Sequence, residues 1–216
     1  MFVKIIAGNF FSSNCYIVAS ETTRRGIIID PGVHANYIME AAAEMDVTVS
    51  LIVLTHVHVD HCVSLETVKS NTKAQLAVFD TSNIQASPEI MQVPRGLLFV
   101  PFTLPIKPDI LLGDGCTIDI DDLQFSVLHT PGHSKDSVCL FRHGALFSGD
   151  TLFRRSIGIS PPGFFPGQDV DQLINSIHEK LMPLPDDTIV YPGHGAPTTI
   201  GEERRLNRML SPERSR

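Results

Sequence analysis

The sequence predicts an α/β protein, α+β in some schemes, in which two β-sheets pack face to face and helices cover their outer sides. Three observations carry this. Short apolar runs of strand length fall in two groups, and each group is accompanied by helical patterns. No serine- or glycine-rich linker, low-complexity tract or sharp repeat interrupts the chain. Its 216 residues also suffice for one large domain with a real core, so residues 1–216 are expected as a single domain, with 211–216 as a frayed tail.

Taken in order, Phe2 to Ile6, Cys15 to Ala19 and Gly26 to Ile29 read as strands, and the polar run Ser20-Glu21-Thr22-Thr23-Arg24 makes the turn between the last two. Asp30-Pro31-Gly32 breaks the third strand. Its carboxylate can cap the following helix or be held near a site. Ala35 to Met45 is expected as a helix, with Tyr37, Ile38, Ala41, Ala42 and Met45 on one face. Leu51 to Leu54 is a buried-type strand, giving β-α-β. A helix then starts within Val63 to Lys69, and Ala74 to Val78 is a further strand. Ser87 to Pro108 carries five prolines around an apolar run, which reads as a surface flap or a packing loop.

Strands resume at Cys116 to Ile120, Gln124 to Leu128, Val138 to Phe141 and Ala145 to Phe147, with hairpin turns at Asp121-Asp122 and His143-Gly144. Asp169, with Gln172 three residues on, opens a helix whose Val170, Leu173, Ile174, Ile177 and Leu181 share a face. Thr188 to Tyr191 is a late strand. Thr199 and Glu202 open a last helix that runs to about Leu210.

Composition limits the function. The net charge of −7 argues against a nucleic-acid surface, which would be basic. It leaves anionic small molecules open, because bound dications would reverse the local field. The four cysteines, Cys15, Cys62, Cys116 and Cys139, show no C-x-x-C pairing and read as reduced, mostly buried thiols. Met1 to Ala7 is too short for a secretory signal, and no apolar run approaches the roughly 20 residues that span a bilayer. The expectation is a cytoplasmic protein acting on a small molecule, with neither nucleic acid nor membrane as a partner and its oligomeric state left open.

The chemistry is concentrated in Thr55-His56-Val57-His58-Val59-Asp60-His61, where four of seven residues can bind a transition metal. If the chain stays extended past Leu54, alternation puts His56, His58 and Asp60 on one side, and His61 turns in as the next segment begins. Three later strands end in the same way, each in a breaker and then a ligand. They lead into His129-Thr130-Pro131-Gly132-His133, Ser148-Gly149-Asp150 and Pro192-Gly193-His194. The glycines would let backbone approach a metal where a Cβ obstructs. Imidazole with carboxylate and no thiolate suits zinc, iron or manganese.

This set of motifs, from Ile29-Asp30-Pro31-Gly32 to Pro197-Thr198-Thr199-Ile200-Gly201-Glu202-Glu203-Arg204, resembles the metallo-β-lactamase superfamily, and most of all its glyoxalase II-like hydrolases. The resemblance implies an αββα sandwich of two mixed sheets flanked by helices, with the site on one edge. It implies two divalent ions, most naturally zinc. His56, His58 and His133 would hold the first, and Asp60, His61 and His194 the second. Asp150 would bridge them, since a carboxylate has two oxygens to share. A metal-activated water would then attack a carbonyl, with Asp60 orienting it. A thiolate leaves without protonation, so the reaction read for this chain is hydrolysis of a small thioester or ester. Asp30 and His129 are expected to steady the ligands from behind, and Arg154 and Arg155 are candidates for anion binding.

The chain departs from the family pattern in several places. Cys62-Val63-Ser64 stands where a glycine pair is usual, and Ser134-Lys135-Asp136-Ser137 where Thr-Pro-Gly-Ser is common. Relatives that bind glutathione present a basic residue at the position of Ile159 and an aromatic at that of Pro161. The helical domain that completes the pocket of long glyoxalase II enzymes does not follow here. These departures weigh against a glutathione thioester. The runner-up reading is a mononuclear iron sulfur dioxygenase that uses only some of the seven ligands. A non-catalytic metal-binding module comes from a different class. A β-lactamase is less expected, because well-known zinc β-lactamases lack an aspartate at the position of Asp150.

Overall fold

The computed structural model describes residues 1–8, 13–81, 90–91, 100–101, 104, 106–159 and 168–211. The first sheet is built from β1 (Phe2–Ile6), β2 (Cys15–Ala19), β3 (Arg25–Ile29), β4 (Thr48–Val53), β5 (Gln75–Phe79) and β8 (Ile110–Leu112), in that spatial order. β1, β2 and β3 are antiparallel neighbours, whereas β3, β4, β5 and β8 run parallel. Parallel neighbours need crossovers, and helices supply two of them. α1 (Ala35–Glu44) joins β3 to β4, and α2 (Val59–Cys62) with α3 (Leu65–Thr72) joins β4 to β5. Two short strands, β6 (Ile90–Met91) and β7 (Val100–Pro101), pair with each other.

The second sheet has the order β16 (Thr198–Thr199), β15 (Ile189–Pro192), β12 (Ala145–Gly149), β11 (Val138–Arg142), β10 (Leu123–His129) and β9 (Thr117–Ile120). It is antiparallel except where β12 meets β15. The hairpin β13 (Leu152–Phe153) and β14 (Ser156–Ile157) follows β12. α4 (Val170–Ser176) continues as a π-helical turn over Ile177–Leu181, and α5 (Ile200–Leu206) is followed by a 3-10 turn over Arg208–Leu210.

Strand alternation sorts the core into layers. Tyr16, Val18, Ile27, Ile29, Leu51 and Val53 face inward and meet Phe125, Val127, Leu140 and Phe147 of the other sheet. Their alternates Ile17, Ile28, Ile52 and Leu76 face outward and pack on Ile38, Ala41, Leu65 and Val68 of α1 and α3. Cys139, Leu146 and Val190 face the opposite way, onto Leu173, Ile177, Leu181 and Ile200. The result is the helix–sheet–sheet–helix arrangement expected, with mixed sheets.

Local expectations fared unevenly. Asp169 and Thr199 do cap their helices, accepting from the backbone N–H of Gln172 and Glu202. Asp30 caps nothing. His34 takes that place at α1 and accepts from the N–H of Asn36. Tyr37 is exposed, so the buried stripe of α1 is Ala35, Ile38, Ala41 and Ala42. The last helix stops at Leu206, because Asn207 leaves helical geometry and caps the 3-10 turn. Most of Ser87 to Pro108, Pro161 and most of the tail lie outside the described residues. None of the four cysteines is in a disulfide, and Cys15, Cys62 and Cys139 are buried. Among the described residues no helix is long and apolar enough to cross a membrane.

Candidate metal centre

Every predicted ligand comes from a segment leaving the same end of the two sheets. β4 leads into His56 and His58, β10 into His133, β12 into Asp150 and β15 into His194. The backbone bends at Thr55 and His56 instead of running extended past Leu54, and His58 is extended only as the residue that precedes α2. Asp60 and His61 stand in the first turn of α2, so a helical turn, rather than strand alternation, presents them. A sharp β-to-α change lets four ligands within six residues face two neighbouring points.

The donor atoms form connected groups. His56 Nε2 lies 2.9 Å from His58 Nδ1, and His133 Nε2 lies 3.0 Å from the same atom. His194 Nε2 lies 3.1 Å from Asp60 Oδ2, and His61 Nε2 lies 3.7 Å from it. Asp150 stands between them, with Oδ1 at 3.3 Å from His61 and Oδ2 at 3.6 Å from both His133 and His194. Three sets thus gather: His56, His58 and His133; Asp60, His61 and His194; and His56, His61 and Asp150.

Hydrogen bonds behind the rings fix which nitrogen faces the centre. Asp30 accepts from the backbone N–H and the hydroxyl of Thr55, at 2.7 and 2.6 Å, and from His61 Nδ1 at 2.8 Å. A carboxylate only accepts, so His61 carries its proton on Nδ1 and turns an Nε2 lone pair inward. The Thr55 hydroxyl, having spent its proton on Asp30, accepts from His56 Nδ1 at 3.1 Å, with the same result for His56. The carbonyl of Gly158 accepts from His133 Nδ1 at 2.9 Å. Three imidazoles therefore aim lone pairs at one small region. The expectation for Asp30 holds in geometry. His129 is different: its ring stacks on Phe79 at 4.1 Å and its Nε2 lies 2.9 Å from the Lys135 carbonyl, so it joins none of the ligand groups.

The electrostatics agree with a cation site. Burial, reinforced by His61, holds the His56 imidazole well below its usual range, and burial with His133 does the same for His58, so both are neutral. Burial would lower His61 too, but Asp150 and Asp30 outweigh it and push it well above the usual range, so in the metal-free chain its Nε2 carries the proton that a metal ion would replace. The Asp150 carboxyl would be raised by burial, yet His61 holds it well below the carboxylate range. These carboxylates favour a positive charge between them. The buried atoms His61 Nε2 and Asp150 Oδ1, 3.3 Å apart, have no hydrogen-bond partner among the described residues, which is costly unless a cation satisfies both. Donors on one tetrahedral zinc ion sit about 3.3 Å apart, given bonds near 2.0 Å. The residues present fit a pair of nitrogen- and oxygen-preferring dications.

Close backbone approach was expected of the glycines, and two positions show it. A Cβ on Gly193 would strike Asp150 Oδ1 and the His61 ring, and one on Gly158 would strike the Asp150 carbonyl. Gly132 serves packing instead, against Leu173 of α4. Arg154 and Arg155 are exposed in the β13–β14 turn and join none of the ligand groups. Cys62 is buried, and its thiol donates to the His58 carbonyl at 3.2 Å, a packing role.

Two positioning residues escaped the sequence reading. Buried Asn14 donates to the carbonyls of Pro192 and Gly195, at 3.0 and 2.9 Å, and its own N–H reaches the Gly193 carbonyl at 2.6 Å. It clamps the turn that carries His194, and the Tyr16 hydroxyl adds a bond to Pro192. Fully buried Glu203 accepts from the Arg155 N–H, Thr198 and Asn207. Asn207 in turn donates to the Ser156 carbonyl, so α5 holds the hairpin leading to Gly158. An asparagine just before a strand was the only hint of the first, and no local pattern marked Glu203 as buried.

The sequence profile described as the Metallo-beta-lactamase superfamily matches residues 8–194. The hydroxyacylglutathione hydrolase GloC of Haemophilus influenzae is 32% identical over 98% of this chain and 99% of its own length. The crystal structure of the BLEG-1 B3 metallo-beta-lactamase superposes with a TM-score of 0.84 at 33% identity, over 97% of this chain and 100% of that one. The crystal structure of ETHE1 from Myxococcus xanthus gives a TM-score of 0.76 at 27% identity, over 96% and 84%.

Proposed function

The chain belongs to the metallo-beta-lactamase superfamily, and from that premise we propose that it is a binuclear metal-dependent hydrolase of small thioesters or esters. Asp150 carries the reading. Its two oxygens face both ligand groups at once, which a structural aspartate would have no reason to do. Bound dications supply Lewis acidity and lower the pKa of water from about 15.7 towards 7. The chain's own residues hold and aim. The three histidines form a buried cradle of imidazoles, and Asp60, with its side chain 32% exposed, offers an oxygen on the open side to orient the attacking water. A thioester suits this site because its leaving thiolate needs no proton from a general acid.

The likeness to GloC over nearly its whole length supports glutathione thioesters as candidates and removes chain length as an argument against them. Exposed Ile159, which has no charge to pair with a carboxylate, still weighs on the other side. The BLEG-1 likeness puts a β-lactam on the substrate panel beside thioesters, esters and lactones. Net charge argues for a small-molecule substrate over nucleic acid. The likeness to ETHE1 keeps the single-iron dioxygenase as the second reading. Metal analysis of untagged protein, followed by the panel on that preparation, separates these. Two ions per chain with thioester turnover supports the proposal. One iron per chain with oxygen uptake replaces it with the dioxygenase. A fully metallated protein inert on the panel would make it a non-catalytic metal-binding module.

A further inference from the structure

The segment joining β10 to β11 carries His133 and departs from the family's usual Thr-Pro-Gly-Ser by placing Asp136 where glycine is common. Asp136 is 8% exposed, and its Oδ2 accepts from the backbone N–H of Val57 at 2.8 Å. Val57 lies between His56 and His58. On the other side of His56, the Thr55 carbonyl accepts from the N–H of Val138 at 2.8 Å. The two peptide groups that flank His56 are therefore both tied to residues 136–138, and these follow His133 directly. A bond to a carboxylate is roughly twice as strong as one between neutral groups.

From this we propose that Asp136 is a positioning residue for the three-histidine group. Its carboxylate locks the His56–His58 segment to the loop bearing His133, fixing the spacing of the three nitrogens, and adds negative charge behind that group alone. The proposal rests on the metal-site reading above but not on any substrate. The Asp60, His61 and His194 group is steadied by other residues, Asp30, Ser13 and Asn14, so it should not feel the change.

The test uses the full chain and two substitutions. Asp136→Asn keeps an acceptor oxygen and loses the charge, and Asp136→Ala loses both. Co²⁺ and Zn²⁺ are titrated against a competing chelator, with the visible Co²⁺ spectrum recorded. His58→Ala serves as a reference that identifies the three-histidine step. We expect that step to weaken about 10- to 100-fold in Asp136→Ala and less in Asp136→Asn, with an altered Co²⁺ spectrum, while the other step stays in place. Three outcomes would overturn the proposal: unchanged affinities in both variants, equal weakening of both steps, or a stronger effect in Asn than in Ala. If the unmodified chain binds neither metal, the metal-site reading itself fails, which is a distinguishable result.

Discussion

The two ligand groups differ in nearly every physical respect although they lie side by side. His56, His58 and His133 are all buried and made only of imidazole, and burial holds His56 and His58 well below their usual range. In the second group only His61 is fully buried. The side chains of Asp60 and His194 are 32% and 34% exposed, and carboxylates dominate the field. The first group is a closed cradle, whereas the second is charged and open on one side. On the proposed function, that contrast implies a division of labour in which the three histidines would retain an ion and solvent and an incoming group would arrive on the Asp60 side.

The largest test removes the residue the groups share. Asp150→Ala should cost both sites their ions and reduce turnover by about a thousandfold or more, because several kcal/mol of charge stabilisation leave with the metal. Normal metal content with full activity would end the idea of a shared carboxylate. Next, His194→Ala should keep about one ion per chain, retained by the three histidines, with hydrolysis largely lost. Loss of all metal in that variant would show that neither group binds alone and would dissolve the contrast.

Asp30→Asn tests the second group from behind. It weakens the partner that fixes the His61 tautomer directly and the His56 tautomer only through Thr55, so metal affinity should drop about 10- to 100-fold in the second group and less in the first. A chelator titration with two resolved steps reads this directly, and a shift in the first step instead would reverse the assignment. The smallest effect is expected at Ile159, an exposed position next to Gly158. Ile159→Arg should raise kcat/KM for S-lactoylglutathione about two- to fivefold, the range of an exposed ion pair. An unchanged value would remove the missing carboxylate partner from the account of specificity.

Much of this was legible in the chain because two simple periodicities carry it. Continuous apolar strands such as Ile27-Ile28-Ile29 announce that both faces are covered, and strand–breaker–ligand runs announce where side chains converge. What stayed hidden depends on the third dimension. Tyr37 sits at a helical core spacing yet faces solvent, because α1 buries a narrow stripe of small residues. Asp30 could be read as a helix cap or as a residue held near the site, and only its φ of 51°, with the carboxylate on Thr55 and His61, separates the two. Asn14 and Glu203 act on segments far along the chain, and no local pattern marks such partners. β8, β13, β14 and β16, at two or three residues each, are too short to show any period.

The ligands are divided between the halves of the chain. Four follow β4 in one sheet, and three follow β10, β12 and β15 in the other. Ions held there would act as rivets across the seam, binding only when both halves are folded and docked. At free metal a thousandfold above its dissociation constant, one such ion adds about 4.1 kcal/mol to folding. That is a large share of the 5–15 kcal/mol typical of a whole native protein. Starvation for metal would therefore do more than silence the protein: it would lower its melting temperature and offer the loosened chain to proteases.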